Sequence, residues 1–476
     1  MTQQVVAQNI FTKTYSAAQM KEEAALLKNI VQANHPSLYW YTSKAHFDSV
    51  YVQLEKEFTD GLNENEYRNK LAFWLNSIKC GHTVVRFSKK TAKKIQKNKA
   101  PQFPLLIKVW ADSMVVYGNL NAQDTVFKRG TIITGINEYN NQQIIDSIFP
   151  YISTDGNSIN HKNQVLSNSF AFWYTSVFGL DSVYRIQYIN RKGEKQTSAI
   201  YPYTTITKIP NKKGADTSII KTQPTISKRA MQLQVKRQLS FDTVNSIATI
   251  RLNTFTGGGL KTFFSKSFEQ IKQFNSKYLI IDLRNNGGGR VSNSIALTQY
   301  IINHYFKVAD TVVANGRKLR YGKYIRPFLP NWLALNFFSK KTTDGKVHFN
   351  RYEKHEYLPT NNNWYRGQVY LLQGGNTFSA STMFIGALKG QSNVTVVGEE
   401  TGGGGYGNSA MLMPTIVLPK SKLRISLPLY RVVINPFYEK GRGILPDVLI
   451  PPSSKAIENG VDLKLEKVYE MIKKTN

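Results

Sequence analysis

From residue 240 onward, short apolar runs alternate with longer amphipathic stretches, and this alternation constrains the fold more than any other feature. Ser246–Leu252, Tyr278–Leu283, Val369–Gln373 and Val394–Val397 read as strands, with Tyr278–Leu283 apolar enough to be buried. Leu260–Phe274, Val291–Ile302 and a stretch from about Ser379 to Lys389 read as helices between them. Strands and helices taken in turn predict an α/β core.

The first half is built differently. Residues 16–79 read as helices: Met20–Gln32, a second near Phe47–Phe58, and a third from Asn63 or Asn65. The third carries Glu64 and Glu66 in its first turn and Leu71, Trp74 and Leu75 on one face. From Pro104 to about Tyr203 the pattern is β, with strands at Leu105–Trp110, Met114–Tyr117, Thr131–Ile136, Tyr184–Ile189 and Ser198–Tyr201. One helical region starts at Ile144. At 476 residues the chain has room for two to four domains, taking about 100–200 residues per domain. It can bury a core without disulfide staples, and it shows no internal repeat.

Charge bears on partners rather than on fold. Against 31 acids stand 62 Lys and Arg, a net charge of +31, which raises nucleic acid, anionic membrane surfaces and acidic substrates as partners. No RNP, zinc-finger or helix-turn-helix signature accompanies it, so no nucleic acid is expected. Much of the excess gathers in Lys89–Lys99, Lys208–Arg237 and Arg317–Lys341, with six, eight and seven basic residues against the single acid Asp216. The first reads as a solvated helical stripe, and the first part of the second as a linker or exposed hairpin. The third encloses Phe328–Phe338 and reads as an insertion forming a lid or a membrane-surface contact, against ordinary subdomain packing.

The lone cysteine, Cys80, excludes an intramolecular disulfide, and without a Cys-x-x-Cys pair no thiolate zinc site is expected. No apolar run reaches the roughly 18–20 residues needed to span a bilayer. The first ten residues lack the charged and apolar regions of a signal peptide. Two compartments therefore stay open: the cytosol, or an exported mature form whose signal is absent from this sequence.

Three constellations can carry chemistry. In Leu279–Gly289 a buried strand runs into Asn285-Asn286-Gly287-Gly288-Gly289, where successive backbone N–H groups can converge on a phosphate or a transient oxyanion. It has no GK[ST] ending, so a nucleotide loop is not expected, and it reads equally as a tight strand–helix turn. In Gly374–Phe384 a second strand–turn–helix places Ser379 at a helix N-terminus, a geometry that suits a nucleophile or a plain helix cap. Gly81-His82-Thr83 sits at a helix-to-strand transition, and Cys80 beside it reads as a small buried hydrophobe rather than as half of a Cys–His dyad.

Together these segments resemble a family. Asp282–Gly289, Phe378-Ser379-Ala380-Ser381, Val397-Gly398-Glu399 with Thr401-Gly402-Gly403, and Gly443–Asp447 follow in the order of the C-terminal processing (tail-specific) and tricorn-like serine peptidases. Gly81-His82-Thr83 resembles the tricorn-like branch, and the region around Thr131–Asn137 a PDZ-like module. The resemblance implies a multidomain α+β protein. Its parts are an N-terminal helical domain (1–88), a PDZ-like β-rich domain (89–205) and an α/β peptidase core of the ClpP/crotonase type (206–476).

It implies Ser379 as nucleophile, His82 as base, and Gly287, Gly288 and Ala380 as oxyanion donors. The lysine base of the processing branch would fall at Gly404, so a Ser–Lys dyad is not expected. Glu439, 60 residues after Ser379, is assigned to orient His82, with Glu399 as fallback. Thr382 stands where these families carry Glu. The implied activity is a serine endopeptidase acting on protein or peptide substrates, some held by their C-terminal segments, without cofactor or metal. A non-catalytic peptide-binding scaffold of the same fold is the alternative.

Overall fold

Strands buried on both faces need continuous apolar runs, and the C-terminal half supplies them. The structure is a computed structural model that describes residues 11–97, 101–204 and 227–475. Its central sheet has six strands in chain order: β6 (Arg237–Asp242), β7 (Ile247–Leu252), β8 (Tyr278–Asp282), β9 (Gln368–Gln373), β10 (Val394–Gly398) and β11 (Val448–Leu449). The β6–β7 pair is antiparallel and the other pairs are parallel, with Ala248 beside Leu279 and Leu279 beside Val369.

Parallel neighbours need crossovers, and helices provide them. α8 (Leu260–Gln273) joins β7 to β8, α9 (Val291–Thr298) follows β8, and α11 (Ala380–Leu388) joins β9 to β10. Because strand side chains alternate, Leu279 and Ile281 pack with α8, α9 and α11, while Tyr278 and Ile280 meet Val468 and Ile472 of α12 (Leu463–Thr475). Arg284 fixes α12 from beneath, bridging Asp282 at 2.8 Å and Asp462 at 2.6 Å.

The N-terminal helices are α1 (Ala17–Asn34), α2 (Lys44–Lys56), α3 (Glu64–Asn76) and α4 (Lys89–Lys97). Ser16–Gln19 and Asn63–Glu66 form capping boxes that satisfy the first N–H groups of α1 and α3. Residues expected to form a separate helical domain share one core with residues 309–432. Val85–Arg86 adds a strand to Arg424–Ser426 in a four-stranded sheet that ends at Ile325–Arg326.

Between them lies an antiparallel sheet of β1 (Leu105–Trp110), β2 (Ser113–Asn119), β3 (Ile132–Ile136), β4 (Tyr184–Ile189) and β5 (Lys195–Ile200), with a short strand beside β3. The expected helix near Ile144 is α5 (Asn141–Ile148), but two more follow, α6 (Ile159–Asn168) and α7 (Phe170–Phe178). The Arg317–Lys341 insertion contains the helix α10 (Leu329–Phe337). The linker expected in the first part of Lys208–Arg237 falls largely in 205–226, outside the described residues.

Candidate active site

At the C-terminal end of β9 the chain turns sharply into α11, and Ser379 stands at that turn. Its φ and ψ are 57° and −122°, a left-handed region costing a non-glycine residue about 1–3 kcal/mol. The surrounding turn holds it there. Thr377 Oγ1 donates to Leu283 O at 3.0 Å and accepts from Gly374 N at 3.0 Å. Phe378 N donates to Asn286 O at 3.1 Å. The Ser379 turn is thus bolted to the glycine turn after β8.

Ser379 occupies the N-cap position, yet its side chain makes no capping bond. The plain-cap reading therefore fails: among the described residues Oγ has no hydrogen-bond partner at this helix N-terminus. Gly288 backs onto this residue at φ +96°, and a Cβ there would lie 2.7 Å from both Phe378 O and Ser379 Cβ. Only glycine fits. Its N–H is already bonded to Asn286 Oδ1 at 2.9 Å. Gly287 and Ala380 are the expected donors whose N–H groups have no acceptor among the described residues. Gly288 supplies shape rather than a free donor.

His82 comes from the turn after α3, and Gly81 must be small because a Cβ would sit 2.6 Å from Phe378 Cζ. The His82 ring lies 4.9 Å from the Phe378 ring, and its side chain is 8% exposed. His82 is thereby packed on the residue immediately before Ser379. No hydrogen bond joins His82 to Ser379 Oγ among the described residues.

The carboxylate facing His82 is Asp155, with Oδ1 3.9 Å from Nδ1. Asp155 lies in the turn before α6 and accepts from Gly81 N at 2.8 Å. Gly404, at the position of the missing lysine, also favours its charged form through its backbone N–H. Glu439 is corrected by this geometry. Its side chain is 72% exposed and sits 3.8 Å from Arg442, because its loop packs on the Gly156–Asn157 turn, where Asn157 N donates to Gly441 O at 2.9 Å. The fallback, Glu399, is paired with Lys464.

A second histidine, His161 of α6, was not anticipated. It stacks on Phe378 at 4.5 Å and bonds Gly375 O through Nδ1 at 3.1 Å. Ser158, which accepts from His161 N, is the N-cap signal that marks this helix in the sequence. Thr382 is fully buried, with Oγ1 donating to Thr377 O at 3.1 Å.

Burial sets the electrostatics. It pushes His82 down to about 4, with His161 adding in the same direction, and pushes Asp155 up to about 7. At neutral pH His82 is therefore an uncharged imidazole able to accept a proton. Burial also pushes the Cys80 thiol up to about 12, in keeping with an inert buried cysteine. Cys80, His82 and Asp155 place their ligand atoms within 4.8 Å of one another, a geometry that could hold a metal ion.

The fold has solved counterparts. Mature CPAF complexed with lactacystin is 13% identical with a TM-score of 0.66, covering 96% of this chain and 98% of that one. Mature CPAF alone gives 13%, 0.66, 95% and 96%. At that identity the likeness shows the fold. No curated protein matches this chain in sequence. Residues 246–450, the stretch that holds the glycine turn and Ser379, match "Peptidase family S41", and this part of the chain is a serine peptidase domain.

Proposed function

We propose that the chain hydrolyses peptide bonds through an acyl-enzyme, with Ser379 as nucleophile, His82 as general base and Asp155 as the orienting carboxylate. The observation that carries this reading is the strained, uncapped Ser379 backed against Gly288. With Nδ1 facing Asp155, the His82 lone pair lies on Nε2. Nε2 takes the Ser379 proton as Oγ adds to the carbonyl carbon, and the C=O electron pair moves onto oxygen. The Gly287 and Ala380 N–H groups receive that oxyanion. The imidazolium then gives its proton to the departing amine, and water repeats the sequence to release the acid.

A donor of this kind contributes about 10²–10³-fold and base catalysis about 10²–10⁴-fold. Casein or peptide digestion by wild type, Ser379→Ala and His82→Ala tests the assignment. Both variants should lose several orders of magnitude, and wild-type-like cleavage by Ser379→Ala overturns the proposal.

Substrate capture belongs to the same reading. The β1–β5 sheet with α5 to α7 fits a PDZ-like module, and an edge strand of that sheet offers unpaired backbone groups to a C-terminal peptide. A histidine base in place of lysine favours the tricorn-like branch. Export to the periplasm or cell envelope is checked by fractionation. The second reading, a scaffold without activity, draws on the unmade Ser379–His82 hydrogen bond. Covalent labelling by a fluorophosphonate separates the two, since a scaffold leaves the probe unreacted.

A further inference from the structure

We propose that the face carrying α10 docks on an anionic lipid bilayer. A nine-residue helix in a soluble subdomain should turn its apolar side inward, and α10 does so only with Leu335, 2% exposed, and the buried Asn331. Outward it presents Leu329, Trp332, Leu333 and Phe337, with Phe328 and Phe338 at its ends. Phe337 and Phe338 are 73% and 69% exposed. The spacing of Leu329, Trp332, Leu333 and Phe337 places them on one side of the helix.

Charge identifies the occupant. From Arg317 to Lys341 there are seven basic residues and no acid. Lys323 and Arg326, just before α10, share a cavity of about 780 Å³ with Lys89, Lys90 and Lys94 of α4. Two basic stretches more than 200 residues apart in sequence thus meet at one cavity. The cavity's one acid, Glu64, has its carboxylate occupied by Ser88 and Thr91. Among the described residues no carboxylate pairs with these five cations.

Exposed aromatic and leucine side chains that follow Lys323 and Arg326 directly in the chain suit a surface that sinks into a headgroup layer while cations meet phosphates. A second copy of the chain would bring like charges together. Among the described residues no helix is long and apolar enough to cross a membrane.

Co-sedimentation of the full chain with vesicles tests this, using phosphatidylcholine alone and phosphatidylcholine mixed with phosphatidylglycerol. Wild type should bind the mixed vesicles and not the neutral ones. Lys89→Gln/Lys90→Gln/Lys94→Gln should weaken binding about 100-fold, at about fivefold per cation. Phe337→Ser/Phe338→Ser should weaken it at least about tenfold, and the exposure of both rings keeps the fold intact. Hydrolysis of a soluble peptide should be unchanged in both variants, so a failed peptidase assay leaves this result standing. Indifference of wild type to anionic vesicles overturns the proposal. So does undiminished binding by the phenylalanine variant, which would mean simple polyanion attraction. Sedimentation velocity showing wild type dimeric and that variant monomeric, without vesicle binding, assigns the face to self-association instead.

Discussion

Replacing Asp155 by Asn distinguishes the two carboxylates that could serve His82. The imidazolium formed in the transition state would face Asp155 across 3.9 Å. At an effective dielectric of about 20, that attraction is worth about 4 kcal/mol. Since each 1.36 kcal/mol is about tenfold in rate, the substitution should lower kcat/KM by about 10³-fold. The amide oxygen can still accept the Gly81 N–H, so the turn stays in place. Burial already pushes Asp155 up to about 7, so its charge disfavours the fold at alkaline pH and Asp155→Asn should not lower Tm there. Glu439→Gln removes a solvent-screened charge and should stay within about twofold of wild type. The assay is kcat/KM on a fluorogenic peptide together with the rate of fluorophosphonate labelling. Asp155→Asn within about tenfold of wild type, or a large loss in Glu439→Gln, would refute the reasoning.

The pH profile follows from the same pair: kcat/KM should rise as Asp155 ionises through about 7, and the limb should vanish in Asp155→Asn. His82, lowered to about 4 from 6.5, contributes stability that is lost as pH falls from 6.5 to about 4, whereas the contribution of Asp155 is lost as pH rises from 3.8 to about 7. These opposed terms offset one another in wild type, so thermal melts of Asp155→Asn should fall more steeply with acid. Gly288→Ala should cost at least about 10²-fold in kcat, because its Cβ has no room beside Phe378 O and Ser379 Cβ. Gly287→Ala, with no atom within 4 Å of the added carbon, should keep wild-type Tm. Arg284→Met strips Asp282 of its closest partner and should cost about 3 kcal/mol in urea unfolding.

Legibility in the sequence tracked how local each signal is. The strands β7 to β10 could be read because strands buried on both faces have no polar alternation to blur them. Ser379 and the glycine turn could be read because strand–turn–helix chemistry compresses into a few adjacent residues. Asp155 and His161 fall in the stretch where two helices escaped notice, for opposite reasons. α6 is Ile-Asn-His-Lys-Asn-Gln-Val-Leu-Ser-Asn, too polar to show a clear apolar stripe. α7 is Phe-Ala-Phe-Trp-Tyr-Thr-Ser-Val-Phe, apolar on all sides and rich in residues that favour strands. The Asp155-Gly156-Asn157 turn signal was present, but nothing local to it points toward His82.

The acid proposed to orient His82 was hidden for a deeper reason. A nucleophile must sit on a particular backbone conformation, and an oxyanion donor must be a backbone N–H beside it, so both leave marks in adjacent residues. A carboxylate that holds an imidazole needs only proximity and burial, which any loop reaching the spot can supply. Here the loop is selected by packing at glycines: Gly81 admits the Phe378 ring, and Gly156 admits the backbone of Gly441. The Phe378 ring then contacts both His82 and His161. The turn that strains Ser379 therefore also helps create the apolar surroundings that keep His82 uncharged, and the proposed nucleophile and base are both set by the Phe378 side chain.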